Sequence, residues 1–163
     1  MRRITRLLVS ALAVGALLGP TLVGPAASGA GENAAGVVVQ IKDKIRKDCV
    51  RFDGSISGIK LLKRSKFDFL AAKYSFGKAI CSIDGKGCKT RDPDRCTDCK
   101  KPIGEYDGKF WAYWTQDTGD ADPAFSFVGA NDRTVEHGSI DYWVWGDGSG
   151  SPTELALDDI CKS

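Results

Sequence analysis

Two short runs of alternating residues, Phe110-Trp111-Ala112-Tyr113-Trp114 and Tyr142-Trp143-Val144-Trp145, hold all four tryptophans of the chain. A period of two is that of a β-strand, whose successive side chains point to opposite faces. Trp111 and Tyr113 therefore share one face of the first strand, and Phe110, Ala112 and Trp114 the other. On the second strand Ile140, Tyr142 and Val144 oppose Asp141, Trp143 and Trp145. A small domain spends one such face on its core. The rings left over either pack at edges, the commoner fate, or form a recognition surface, because Trp and Tyr join a rigid apolar body to a polar tip. The candidate ligand-binding residues are Trp111, Tyr113, Trp114, Tyr142, Trp143 and Trp145, and no more than half of them are expected to touch a ligand.

The N-terminus reads as a secretory signal peptide over residues 1–30. Arg2, Arg3 and Arg6 precede an uncharged apolar run from Leu7 to Leu18, and Ser28-Gly29-Ala30 fits the small-x-Ala cleavage pattern. The run is short for a membrane helix of about 20 residues. Those arginines are three of 23 basic residues, so the mature chain sets 20 against 21 acidic ones. That balance excludes the basic excess of a nucleic-acid partner. The expected location is secreted, extracellular, with no membrane span after signal removal.

Six cysteines, Cys49, Cys81, Cys88, Cys96, Cys99 and Cys161, all lie in the mature part. An even count in a small exported domain reads as disulfides, and the sequence does not choose among the pairings. Joining the two isolated ones, Cys49 and Cys161, is economical, and the other four would then close loops within residues 81–99.

Residues 31–36 read as a flexible leader, and 37–163 as a single domain. Val37–Ile41 and Ile45–Phe52 suit a hairpin, because they are rich in β-branched residues and close on Asp53-Gly54. Ile56, Ile59, Leu61 and Leu62 recur at helical spacing, with Ser55 or Ser57 to cap and Lys63-Arg64 at the end. Strands are predicted over 76–83, 109–115, 124–128 and 139–145. Residues 86–108 form a charged, Cys-rich loop with no hydrophobic period, which cross-links would hold.

Catalytic motifs are weak. Cys96-Thr97-Asp98-Cys99 has redox spacing but no amphipathic helix after it, so structural disulfides are the expectation. A zinc knot of Cys81, Cys88, Cys96 and Cys99 has only one close ligand pair. His137 is the only histidine, and no Gly-x-Ser-x-Gly elbow is present. Asp117, Asp120 and Asp122 lack the rest of an EF-hand loop. The chain is expected not to be an enzyme.

The order of Cys81-Ser82-Ile83-Asp84-Gly85, a cysteine loop, Phe110-Trp111-Ala112-Tyr113-Trp114, Gly129-Ala130 and His137-Gly138 before Ile140-Asp141-Tyr142-Trp143 resembles the transcobalamin-like C-terminal domain family, in particular its small secreted actinobacterial members. Ser139 stands where that family usually has Asp, and Phe110 where it has Tyr. The resemblance covers roughly residues 36–146. It implies an α+β fold: a small β-grasp-like domain, mostly antiparallel sheet with one short helix, here disulfide-stapled. It also implies a non-enzymatic binding module for a small molecule or a cell-surface protein. No cofactor is expected, and a corrinoid is the ligand the resemblance alone suggests. The alternative is a disulfide-stapled structural or inhibitory protein that acts through protein–protein contact.

Overall fold

The computed structural model describes residues 32–74, 77–89, 96 and 108–162. The segment read as a signal peptide and Cys99 lie outside the described residues, as does most of the Cys-rich loop.

Strand β1 (Asn33–Ile41) and β2 (Lys44–Phe52) form the expected hairpin, paired from Asn33↔Phe52 to Ile41↔Lys44. Residues 33–36, expected to be part of a flexible leader, belong to β1. The strand begins at Asn33, and Ala34 and Ala35 are buried. Their small side chains suit a crowded central strand, so the domain starts earlier than its β-branched run. Val37, Val38 and Val39 are buried on both faces, as a strand covered on both sides requires.

Then come β3 (Ile56–Ser57), α1 (Gly58–Arg64), β4 (Phe69–Tyr74), β5 (Gly77–Ile83) and β6 (Lys86–Gly87). The last of these lies within the stretch expected to be all loop, and pairs with the end of β5. The aromatic strand β7 (Phe110–Gln116) is followed by β8 (Ala124–Phe125), β9 (Thr134–Val135), β10 (Ile140–Gly146) and a single helical turn, α2 (Leu157–Ile160). No described helix is long and apolar enough to cross a membrane.

The main sheet runs β2-β1-β10-β7-β8. Its pairs are antiparallel except β1 with β10, where Val37 faces Asp141 and Val39 faces Trp143. On one face α1 and the β4–β5 hairpin enclose the larger core, with Leu61, Leu62, Phe67, Ile80 and Ile83 against Trp111, Tyr113 and Trp143. On the other, Val38, Ile140 and Tyr142 pack under Ile160 and the partly buried Leu155 and Leu157. A Cβ at Gly36 would lie 2.6 Å from Ile160 Cδ1, so a larger residue there would force the Ile160 side chain to move.

Disulfides join Cys49 to Cys161 and Cys81 to Cys96. Cys88 is disulfide-bonded as well. The first bridge is the economical pairing expected from the sequence.

Candidate functional site

Cross-strand register sorts the six aromatic candidates. Trp143 lies opposite Tyr113 and Trp145 opposite Trp111, all on the face of the larger core, whereas Tyr142 lies opposite Trp114 on the other face. Tyr113 and Trp143 stack with centroids 4.5 Å apart, and Trp111 and Trp145 meet at 5.3 Å. Such pairs contribute about 0.5–1.5 kcal/mol beyond area burial. No open aromatic face exists among the described residues, because both faces are covered. Trp145 and Trp114 are half-buried, and Tyr142 is fully buried, its hydroxyl donating to Gln116 Oε1 at 2.6 Å. Burial pushes the Tyr142 phenol above its ordinary range.

What the sheet does offer is a cleft of about 520 Å³ beside its β7–β8 edge. Trp111, Tyr113 and Trp143 line it from the sheet, Lys78, Ala79 and Ile80 from β5, Phe125 from the end of β8, and Ser126 to Ala130 from the loop after it. Three of the six predicted residues thus come together there, and Trp114, Tyr142 and Trp145 do not. The lip is apolar and wet: Phe127 is 97% exposed, Val128 52% and Phe125 39%. Phe125 meets Trp114 and Phe127 edge to face, at 5.6 and 5.8 Å. The strand predicted over 124–128 stops at Phe125, where Ser126 Oγ donates to Val128 O at 2.9 Å and turns the chain. That turn brings Phe127 and Val128 to the mouth. Sequence reasoning did not single them out, although two large apolar residues before Gly129 were a visible signal.

Beneath the cleft lies a charge network, buried at Tyr113 and Asp141 and exposed at Asp117, that the sequence reading also missed. Tyr113 donates its hydroxyl proton to Asp141 Oδ2 at 2.5 Å, and Arg133 Nε lies 3.5 Å from Asp141 Oδ1. Arg133 also clamps Asp117 through two nitrogens, at 2.6 and 3.1 Å, and Ser139 Oγ donates to Asp117 at 3.0 Å. Burial pushes the Asp141 carboxyl up to about 6, against the pull of Tyr113 and Arg133. The Tyr113 phenol is held far above its usual range by burial, then by the Asp141 charge. Burial opposes the charge on Arg133, but its two carboxylate partners hold it above its ordinary range. The hydrogen bonds from Arg133 in turn hold Asp117 low.

Asp117 is thus committed to Arg133 rather than to a cation, and among the described residues no three His, Cys, Asp or Glu side chains gather as a metal site. His137 serves its turn: its Nδ1 accepts from Ala34 N at 3.1 Å, and Gly138 follows with φ of 89°.

No protein-family profile matches the chain, and no curated protein does. Among solved structures, a crystal structure from Ruminococcus gnavus ATCC 29149, described as that of a "putative metal binding protein", aligns with a TM-score of 0.44 at 16% identity, over 72% of this chain and 99% of that one.

Proposed function

We propose that this chain is an exported, non-enzymatic binding module that holds its ligand in the cleft between β5, β7 and the 125–130 loop. The observation that carries the reading is the apolar lip of Phe125, Phe127 and Val128 over a hollow backed by Trp111, Tyr113 and Trp143. Ligand pockets are concave, mostly apolar and of this size. Two disulfides among the described residues support an oxidising, extracellular setting. The strand order β2-β1-β10-β7-β8, with a parallel first-to-last pair at its centre and a helix after the first hairpin, supports the β-grasp-like assignment. Together with the sequence resemblance it keeps a corrinoid among the ligands to try.

The test is tryptophan fluorescence of the oxidised protein, titrated with cobalamin, cobinamide and a panel of sugars, with inner-filter correction. Saturable quenching that Phe127→Ser weakens supports the reading. A response that Phe127→Ser leaves unchanged moves the ligand away from the cleft.

The second reading, contact with a protein partner, is favoured by one observation: Phe127 projects almost wholly into solvent. A stable complex with a partner protein that Phe127→Ser abolishes is its expected outcome.

A further inference from the structure

The two edges of the main sheet are built differently. On the β2 edge Lys44, Arg46, Lys47 and Arg51 line the strand, which is how natural sheets deter a further strand from pairing. The opposite edge has no such guard. β8 carries only Ala124 and Phe125, and pairs with just Thr115 and Trp114 of β7. Ser126 N donates to Tyr113 O at 2.9 Å, so the Tyr113 carbonyl points outward from the sheet. The period of two then puts the N–H and C=O of Trp111 on the same outer side. No described strand pairs with Trp111 there. The cleft opens along this stretch, which no described strand covers, and β5 contributes Lys78 to Ile80 across it.

Its mouth is also charged at two points. Lys78 and Asp132 line the cleft, both exposed and without an ion pair among the described residues. The outward N–H and C=O of Trp111, unpaired among the described strands, an apolar lip and one charge of each sign match an extended polypeptide better than a hydrocarbon, which satisfies only the lip.

We propose that the cleft accepts an extended peptide segment of a partner protein, added as a strand along β7 beyond β8, with an apolar side chain against Phe127, an acidic one toward Lys78 and a basic one toward Asp132. The proposal rests on the cleft being the binding site, and names its partner class. Backbone pairing with Trp111 supplies register, and the lip supplies selectivity for alternate side chains.

The experiment pans a phage-displayed random heptapeptide library against the exported, oxidised protein, then measures the enriched peptides in solution. The expected peptides alternate apolar with polar residues and carry an acid and a base. Binding slows hydrogen exchange at the Trp111 amide by at least about tenfold. Phe127→Ser, at a side chain too exposed to matter for folding, weakens binding about tenfold, as does N-methylation of one pairing amide in the peptide. No enrichment, or binding indifferent to both changes, overturns the proposal. If no peptide is enriched but a corrinoid or sugar binds and Phe127→Ser weakens it, the cleft reading stands and the peptide inference falls. If neither peptides nor small molecules engage the cleft, both fall.

Discussion

Asp141 is fully buried beside Gly58, and burial raises its proton affinity more than Tyr113 and Arg133 lower it. Its carboxyl binds a proton up to about pH 6 in the folded chain, against an ordinary value of 3.8. The sign follows from linkage. The folded state keeps a proton that the unfolded state releases, so this group's contribution is complete below about pH 4 and is lost as pH rises through about 6. The lost contribution is about 3 kcal/mol. Urea unfolding at pH 4 and pH 7, compared between wild type and Asp141→Asn, is predicted to show roughly 2 kcal/mol of that loss as an excess in the wild type. Equal pH dependence in both proteins would refute the assignment. At this scale the sequence was half legible. Alternation correctly put Asp141 on the face of Trp143 and Trp145, since strand period needs only neighbours. Its partner Arg133 and the next link, Asp117, lie in loops, where no period relates them to β10.

Helix α1 shows how an element ends up positioned by something other than its own signals. Ser57, one of the two serines the sequence offered, is its N-cap residue, yet its side chain makes no capping bond. The first amides are satisfied instead by the 130–133 loop, with Gly58 N donating to Arg133 O at 3.1 Å and Ile59 N to Ala130 O at 2.8 Å. One loop thus caps the helix, anchors Arg133 and forms a wall of the cleft. Gly58 makes the close approach possible, because a Cβ there would collide with the Tyr113 hydroxyl and lie 2.7 Å from Asp141 Oδ2. Gly58→Ala is therefore predicted to destabilise by about 1–3 kcal/mol by urea titration, although alanine is the better helix former. Unchanged or raised stability would contradict the packing described. The hydrophobic period of α1 was legible because Leu61 and Leu62 both pack fully inward. Its capping partners were not, being more than seventy residues away. The predicted strand over 124–128 was shortened for a local reason, the Ser126 turn that alternation does not register.

At the scale of the molecule, the C-terminal segment is a strap across the second face of the sheet. It is held by Ile160 over Gly36, by Thr153 N donating to Gln40 Oε1 at 2.9 Å, and by the Cys49–Cys161 bridge. That bridge spans 112 residues, and long loops lose the most unfolded-state entropy when closed. The double variant Cys49→Ser, Cys161→Ser is predicted to lose about 4 kcal/mol by denaturant unfolding, and a loss below about 1 kcal/mol would show that the strap holds without it. The two isolated cysteines made this pairing readable. The cleft was not readable, because it arises where β5, β7 and the 125–130 loop meet, far apart in sequence. The most direct test of a binding cleft is to follow the four indole N–H resonances of the oxidised protein while adding corrinoids, sugars and selected extended peptides. Saturable shifts at Trp111 and Trp143 are predicted for at least one of them. Shifts confined to Trp114, or none at any of the four, would contradict the cleft as the site.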